Sequence, residues 1–376
     1  MVRAQYTSQA NAAIADCLSR THEAHFHRMV NERMRFVTAT NADSARIRHA
    51  RGDRFAYVNA HAHNGNLSMR ACACDIRGQY PMLPRILPAL QRFYRRVLTS
   101  RPVQPPTGPL PRRFDFNLIL HDFDTDWQRC CQIPDPRARQ MPPPLAPAAY
   151  SDEHAIAIPT FNFDVTGWSF SSASKAGVLP PWRERRAKLV WRGSNQRLNT
   201  HPSRTALLTA GTRHPDLIDA KEPQLSPRGH GGMRHYLNWT EQARYKYVAY
   251  TPGLLGAYSW RLASLLRSGS ALVMERGPLH HSWFSRYLKP LVHFLPVDAE
   301  FRDVTRIVAW AKANDALVQR IAARTAHFAR TNINDACAAD AILLTLALLA
   351  SHNRSISSAN RPWDCPADCV STIILP

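Results

Sequence analysis

Three aspartates stand at every second position in one short segment, LILHDFDTDW. Asp122, Asp124 and Asp126 have the carboxylate groups that bind metal ions, take a proton from a hydroxyl group in catalysis, or cap a solvated turn. A calcium-binding loop that began at Asp122 would have Gly at its sixth position and Glu at its twelfth, where this chain has Trp127 and Ile133. Spacing excludes that kind of loop and leaves a metal-binding pair, a catalytic base or a turn.

The elements around these aspartates place one of them at the end of a strand. Proline-rich stretches at 101–111 and 134–147 force loops on both sides of the segment. Between them, the aromatic and branched residues of 114–120 predict a strand. Asp122 follows the end of this strand, which is a position from which a carboxylate can face a ligand.

From Trp182 onward, strand-like and helix-like segments alternate. The predicted strands are 188–191, 271–274 and 291–297, and the predicted helices are 204–211, 259–269 and a segment that runs to about 313. Gly211 and Gly269 are expected to end two of these helices, and Asp298 to cap the third. This alternation predicts an α/β fold with a parallel sheet, whose ligands bind at the carboxyl ends of the strands.

The remaining segments are less regular. Residues 1–60 contain few glycines or prolines and are predicted to be helical, and 156–163 reads as a strand broken by Pro159. The longest apolar run, 341–350, is too short to cross a bilayer and is predicted to be a buried terminal helix. We therefore expect no membrane span.

Composition bounds the class of protein. The chain has 376 residues, enough for two domains with their own cores, and 45% of them are hydrophobic. A net charge of +20 would ordinarily suggest a nucleic-acid partner. Arginine greatly outnumbers lysine, however, and the arginines are scattered through the predicted elements, which indicates coding bias. No nucleic-acid partner is expected.

The cysteines and the termini leave the compartment open. The eight cysteines lack the paired CxxC spacing of structural zinc sites, and their even number fits either disulfides or buried thiols. The first twenty residues have no apolar core of a signal peptide, so either the protein is cytosolic or a leader is missing from this sequence. The final residues, STIILP, are not an ER-retention signal.

Four segments occur in an order that resembles a known enzyme family. PWRERRAKLVWRGSNQ, RYKYVAYTPG, SWRLASLLRSGSALVM and WFSRYLKPLVHFLPV resemble family 90 of the glycosyltransferases, which includes Rumi-type protein O-glucosyltransferases and capsule-associated xylosyltransferases. The resemblance covers about residues 114–329. It implies a GT-B fold, in which two Rossmann-like domains enclose a cleft. The expected division is an acceptor-side domain at 1–180, a nucleotide-sugar-binding domain at 181–330, and a helix and tail at 331–376 that pack back on the first domain.

The resemblance also implies which residues bind the donor. A sugar that leaves a nucleoside diphosphate deposits negative charge on the diphosphate, and guanidinium groups, amides or a helix N-terminus can meet that charge. Arg192, Gly193 and Ser194 follow a predicted strand, and Gly193 would let the backbone approach the ligand closely. Ser259 and Arg261 open a predicted helix. These five residues are predicted to surround the diphosphate.

The family pattern suggests an answer for the aspartates. In the family an acidic residue on a strand precedes the catalytic aspartate by seven positions, which matches Asp115 and Asp122 here. Asp122 is therefore predicted to be the base that takes the proton of the acceptor hydroxyl. A metal-binding pair at Asp122 and Asp124 is the alternative, but the resemblance implies metal independence. No metal site and no cofactor are predicted, and Asp124 and Asp126 are read as solvated or capping carboxylates.

Other residues have weaker signals. Arg204 follows WRGS at a spacing that the match does not fix, so it is a secondary candidate for the diphosphate. Glu275 is expected either to accept a hydrogen bond from a ribose hydroxyl or to lie in an exposed loop. Trp283 and Phe284 are expected to pack in the core or against the nucleoside base, and His293 to lie in a loop.

The function predicted from the resemblance is an inverting, metal-independent O-glycosyltransferase. It would transfer glucose or xylose from a UDP-sugar donor, the co-substrate, to a hydroxyl of a protein or polysaccharide acceptor in the ER or Golgi lumen. One departure from the family pattern supports an alternative. Where many members have Asp-Gly after Lys-Tyr, this chain has Pro252 and Gly253. The alternative is a catalytically inactive protein of the same fold that binds nucleotide sugars or glycans.

Overall fold

The computed structural model describes part of the chain. Full descriptions cover 179–195, 201–225, 233–251, 261–276 and 281–334, and outside these ranges the described residues are strands and the short helical segments 337–338, 341–342 and 345–346. Contacts between Cα atoms divide the chain into two compact units. The first unit comprises Met1–Ser169 and Asp335–Pro376, and the second comprises Phe170–Asn334.

The first unit contains a six-stranded mixed sheet. The described strands of this unit, counted in one series with those of the second unit, are β1 (Arg54–His63), β2 (Asn66–Asp75), β3 (Arg113–Ile119), β4 (Leu145–Ala146), β5 (Ala148–Ala149), β6 (Ile156–Ala157) and β15 (Val370–Ile374). The sheet order is β15-β2-β1-β3-β4-β6. The pairs from β15 to β3 are antiparallel, whereas β3, β4 and β6 pair in parallel. This arrangement differs from the purely parallel sheet of a Rossmann-like domain.

Strand β1 corrects part of the helical prediction for residues 1–60. Residues 54–60 lie in β1, which pairs with β2 over its whole length, from Arg54 opposite Asp75 to His63 opposite Asn66. The dipeptide Asn-Gly, which separates the two strands, is the sequence most favoured in two-residue hairpins. The prediction rested on the absence of helix breakers. Residues 54–60 form a strand nevertheless, because they pair with β2 and β3. Residues 1–53 lie outside the described part of the chain.

The predicted strand at 114–120 is found as β3, shifted by one residue. Asp115 lies within it, opposite His61 of β1. Asp122 lies outside the described residues, so its predicted position stays a prediction. Of the strand predicted at 156–163, Ile156 and Ala157 form β6, and residues 158–163 lie outside the described part of the chain.

The second unit is built on a five-stranded parallel sheet, as the sequence predicted. The described strands of the second unit are β7 (Arg186–Arg192), β8 (Ile218–Lys221), β9 (Gln224–Leu225), β10 (Met233–Arg234), β11 (Tyr245–Ala249), β12 (Ala271–Glu275), β13 (His281–Ser282) and β14 (Leu295–Val297). The order β14-β12-β11-β7-β8 is parallel at every pair. The α/β fold with a parallel sheet is therefore confirmed.

Five α-helices accompany the described part of this sheet: α1 (Pro202–Arg213), α2 (Trp239–Gln242), α3 (Arg261–Arg267), α4 (Val304–Ala313) and α5 (Asp315–Asn332). Of the three central strands, β12 is buried at every position, β11 at all but one and β7 over its last four residues, as expected for a parallel sheet covered by helices. One core cluster joins these strands to α1, α4 and α5, with Trp191, Tyr247 and Phe301 as its largest side chains. The carboxyl ends of the strands are thereby fixed by a continuous apolar core.

Two predicted helix ends need correction. Gly211 does not end α1, which continues to Arg213. A Cβ atom on Gly211 would lie 3.1 Å from atoms of Ala220, so this glycine allows the helix to pack closely on β8. Asp298 does not cap α4 either, because its carboxylate accepts the amides of Glu300 and Arg302 in the turn before the helix. Asp303 occupies the position before α4.

The remaining boundaries agree more closely with the pattern. Gly269 follows α3 with a φ angle of +68°, the left-handed conformation in which glycine often follows a helix. The strand predicted at 291–297 is shorter, because Leu291 lies in an exposed turn with a φ angle of 60° and β14 begins at Leu295. The terminal helix is represented by buried residues that include Ile342 and Leu346. Among the described helices, none is long and apolar enough to span a membrane.

Candidate active site

Arg192, the last residue of β7, is a buried arginine whose guanidinium group is paired inside the protein. Its side chain is only 6% exposed. Nη2 lies 3.0 Å from both carboxylate oxygens of Asp219 on β8, and Nη1 donates to the main-chain carbonyls of Trp191 and Asp219 at 2.8 and 2.6 Å. The guanidinium group thus joins β7 to its neighbour at the carboxyl edge of the sheet, and does not extend freely towards a ligand.

The carboxylate of Asp219 is held by side chains from three strands. Besides Arg192 of β7, it accepts a hydrogen bond of 2.5 Å from the Tyr245 hydroxyl of β11, and Lys221 of β8 lies at 3.7 Å. The Tyr245 oxygen in turn accepts from Arg186 at 3.0 Å. Burial would raise the pKa of Asp219, but the hydrogen bonds from Arg192 and Tyr245 outweigh it and hold that pKa below the ordinary value. The carboxylate is charged at neutral pH.

Gly193 is required by a neighbouring side chain. A Cβ atom at this position would lie 2.5 Å from Cζ2 of Trp191, well inside van der Waals contact. The Trp191 indole is fully buried and donates to the Thr251 hydroxyl at 3.1 Å, so it has little freedom to move away. The prediction that Gly193 admits a ligand stays untested, but the packing of Trp191 already explains why glycine stands here.

Arg261, the first residue of α3, reaches the same edge of the sheet. Its Nη1 donates to the main-chain carbonyl of Arg192, and its Nη2 donates to the side-chain amide oxygen of Gln242 at 3.1 Å. The guanidinium carbon lies 5.5 Å from the ring centre of Trp239. In the described part of the chain, these contacts of Arg261 are all to uncharged groups. Burial and the nearby cation of Arg204 lower the pKa of Arg261 to about 10, so it stays protonated at neutral pH.

Arg204, in the first turn of α1, approaches from the other side. Its Nη1 donates to the main-chain carbonyl of Ser194, two residues beyond the carbonyl that Arg261 contacts. Burial lowers the pKa of Arg204, while Tyr250 and Glu222 act against that shift. The sequence ranked Arg204 as secondary because its spacing was uncertain. The structure places its guanidinium group on residues 191–194, which are called the WRGS turn below.

The turn that receives both arginines is itself fixed by hydrogen bonds. The Asn195 amide donates to Glu222 at 2.6 Å, and the Asn195 side chain donates to Thr205 in the first turn of α1 at 3.1 Å. Two cations are therefore held on one short turn at the carboxyl end of β7. Because like charges repel in a partly dehydrated site, an anionic ligand between them would relieve that repulsion.

A cavity of about 820 Å³ lies farther along α1. Its wall is formed by α1 from His201 to His214 and by the segment from Glu300 to Thr305. Neither Ser194 nor Arg261 lines it. The cavity is therefore separate from the turn on which the two arginines meet.

A model of glycosyl transferase family 90 matches residues 110–344 of the chain, more than half of its length. The chain belongs to glycosyl transferase family 90. The matched region contains β3, the whole parallel sheet of the second unit and every residue of the WRGS turn. The resemblance seen in the sequence is therefore confirmed.

Relatives within family 90 are distant. Protein 035R of Invertebrate iridescent virus 3 is 27% identical over 289 residues, which cover 67% of this chain and 25% of the viral protein. Human protein O-glucosyltransferase 1 is 29% identical over 161 residues, or 41% of this chain and 39% of the enzyme. Rat protein O-glucosyltransferase 3 is 24% identical over 227 residues, or 55% and 41%. The chain thus spans less than half the length of each of these family 90 relatives.

The structure brings together four of the six residues predicted for the family 90 site. Arg192, Gly193, Ser194 and Arg261 meet at one turn, where Arg192 and Ser194 contribute main-chain carbonyls as hydrogen-bond acceptors. Asp122 and Ser259 lie outside the described residues. Sequence reasoning did not consider Asp219, because nothing near it in the sequence indicates that it faces Arg192.

The secondary candidates have mixed outcomes. Glu275 is not in an exposed loop but is the last residue of β12 and is buried. Trp283 and Phe284 are buried and pack edge to face, with ring centres 5.6 Å apart. His293 lies in a turn, where its Nδ1 accepts the Lys289 amide at 3.0 Å. No group of three or more metal-ligating side chains occurs within the described ranges.

Proposed function

We propose that this family 90 protein is an inverting, metal-independent O-glycosyltransferase that uses a UDP-sugar donor. The observation that carries the proposal is the pair of guanidinium groups, Arg204 and Arg261, anchored on main-chain carbonyls two residues apart at the carboxyl end of a parallel strand. Parallel sheets bind nucleotides at that edge. Two fixed cations there suit a diphosphate, whose oxygens accept charge-assisted hydrogen bonds from arginine.

The proposal assigns different tasks to the arginines than the sequence suggested. Arg192 was predicted to contact the diphosphate, but its guanidinium is engaged with Asp219 and with two carbonyls. Arg261 keeps the task that the sequence predicted for it, and Arg204, the secondary candidate, joins it. Among the described residues, the contacts of Arg261 are to uncharged groups, and a desolvated cation that lacks a counter-ion is unfavourable, so a bound anion would stabilise it.

The chemistry that follows is charge neutralisation on the leaving group. When the bond between the sugar and the diphosphate breaks, negative charge accumulates on the diphosphate oxygens. The guanidinium groups are already oriented by their hydrogen bonds to Arg192 and Ser194, so little reorganisation accompanies that charge. Ser259 and the Ser194 hydroxyl are proposed to add neutral donors. These groups together do the work that a divalent metal performs in other transferases, which is why we propose metal independence.

Asp122 is proposed as the catalytic base. Inversion requires the acceptor oxygen to attack the sugar carbon from the side opposite the diphosphate, and a carboxylate within hydrogen-bond reach of that hydroxyl removes its proton. The support is the spacing of seven residues from Asp115 on β3, which matches the family pattern.

The donor, acceptor and compartment are proposed from the relatives. Two of them are protein O-glucosyltransferases by name, which supports glucose as the transferred sugar and a protein hydroxyl as the acceptor. Xylose as the sugar and a glycan as the acceptor are the alternatives that the sequence resemblance implies. We propose a fold of the GT-B class, in which the sheet of the first unit is mixed and not purely parallel. Cys337 is disulfide-bonded, which fits an oxidising compartment such as the ER or Golgi lumen.

Nucleotide binding tests the proposal directly. Purified full-length protein is heated with UDP, GDP, UDP-glucose or UDP-xylose, and UDP compounds are expected to raise the melting temperature while GDP has little effect. Release of UDP from UDP-glucose is then measured with and without peptide and polysaccharide acceptors. Absence of any nucleotide effect would refute the proposal. If UDP compounds bind but no UDP is released from UDP-glucose with any acceptor, the inactive nucleotide-sugar-binding alternative would be favoured.

A further inference from the structure

Asp219 on β8 is a partly buried carboxylate next to the site, and it has no predicted contact with the donor. It accepts hydrogen bonds from Arg192 and Tyr245, and its side chain is 17% exposed. Because β8 is the edge strand of the sheet, this cluster is what joins the edge strand to β7 and β11 through side chains. Arg192 belongs both to this cluster and to the WRGS turn.

The path from Asp219 to the donor arginines passes through main-chain atoms. The Asp219 carboxylate orients the Arg192 guanidinium, which clamps the carbonyls of Trp191 and Asp219. The carbonyl of Arg192 itself then points to Arg261, and the carbonyl of Ser194 to Arg204. Movement of the Arg192 backbone would therefore displace the acceptor on which Arg261 rests.

From this geometry we infer that Asp219 is a positioning residue for the donor site, acting through Arg192 to hold Arg261. The inference rests on the proposed function, since it takes Arg261 to bind the diphosphate. Loss of the Asp219 charge frees the Arg192 guanidinium to rotate towards other acceptors, including the diphosphate itself. The turn then loses its fixed position, and nucleotide affinity falls although no group that touches the nucleotide has changed.

The test is a double-mutant cycle read out as UDP affinity. Full-length wild type, Asp219→Asn, Arg261→Lys and the double variant are titrated with UDP by calorimetry. Asp219→Asn is expected to weaken binding on the order of tenfold. In the Arg261→Lys background the same change should weaken binding much less, because the residue through which Asp219 acts is already altered. Asp219→Glu, which restores the charge, should recover part of the affinity.

Asp315→Asn is the matched control. Asp315 accepts hydrogen bonds from Lys246 at 2.8 Å and Trp182 at 3.1 Å in the same unit, and none of these residues contacts the WRGS turn in the described structure. Its loss should lower the melting temperature without changing UDP affinity. If Asp219→Asn does not fold, Tyr245→Phe removes one hydrogen bond from the carboxylate and should shift UDP affinity in the same direction by a smaller factor.

Two results would overturn the inference alone. The first is unchanged UDP affinity in Asp219→Asn, or in Tyr245→Phe where that variant replaces it, while wild type binds UDP. The second is independent effects of Asp219→Asn and Arg261→Lys, so that their fold-losses multiply. Failure of the wild-type protein to bind UDP would instead overturn the proposed function, and the inference with it.

Discussion

The guanidinium group of Arg261 donates a hydrogen bond to the main-chain carbonyl of Arg192, although 69 positions separate the two residues in the chain. The contact joins the start of α3 to the end of β7. It turns a flexible side chain into a fixed cation at the edge where a parallel sheet binds ligands. The first prediction follows from this geometry.

Replacing Arg261 by Lys should weaken UDP binding on the order of tenfold, because lysine keeps the charge but cannot contact a carbonyl, an amide oxygen and a phosphate with one planar group. Isothermal titration of the full-length protein measures the change. Arg306→Lys is the control, since Arg306 is exposed and pairs with Asp303 on the surface. Equal UDP affinities for wild type and Arg261→Lys would contradict the assignment of Arg261.

Replacing Asp122 by Asn should reduce sugar transfer by a factor of roughly 10² to 10⁴ and leave UDP binding unchanged. The amide keeps the size of the side chain but cannot accept the proton of the acceptor hydroxyl. Transfer is measured as UDP release in the presence of acceptor, and binding by titration with UDP. Asp124→Asn is the matched neighbour, which should retain activity; a larger loss at Asp124 than at Asp122 would favour the metal-binding alternative.

Gly193→Ala should destabilise the protein by about 1–3 kcal/mol, because the new methyl group would overlap the buried indole of Trp191. Chemical denaturation monitored by tryptophan fluorescence gives the free energy of unfolding. Gly211→Ala is the comparison, since its methyl would meet Ala220 at 3.1 Å and the gain in helix propensity offsets part of that contact. A loss at Gly193 no larger than at Gly211 would argue against the overlap.

The Asp219 carboxylate should make stability depend on pH at the acid end. Its pKa is lower in the folded protein than its ordinary value of 3.8, so the stability it contributes is fully present above that value. It is lost as the pH falls through the folded pKa. Asp219→Asn should therefore unfold more easily than wild type at pH 7, and the difference in unfolding free energy should narrow below pH 4. A difference that stays constant from pH 7 to pH 3 would contradict this linkage.

The fold of the second unit was predictable in its repeating parts. Strands β7 and β12 each contain a short apolar run, LVW in β7 and ALVM in β12, and segments with helical patterns stand between the predicted strands. Strands β8 and β11 were not predicted, because the segment IDAK is short and the tyrosines of β11 lie in a motif that was noted for its resemblance alone. Both strands become clear only when they are paired with β7.

The first unit was predicted less well for a physical reason. Strands β1, β2 and β15 are stabilised by pairing, and β15 comes from the far end of the chain, almost three hundred residues after β2 in the printed sequence. Alternation of small residues such as Ala and Cys gives little local preference for a strand. Helix breakers are equally absent from residues 54–60 of β1, so the sequence of this part of the strand was indistinguishable from that of a helix.

What the sequence by itself determined is the chemistry available: family 90 membership, the alternating elements, and arginine, glycine and serine at the end of a predicted strand. Only the tertiary structure decided which partners each guanidinium group contacts. Asp219 lies 27 residues after Arg192, yet it stands on the neighbouring strand and neutralises that arginine. Local sequence does not encode strand order, because that order is set by burial of the whole apolar core, and so the engagement of Arg192 with Asp219 could not be read from the sequence.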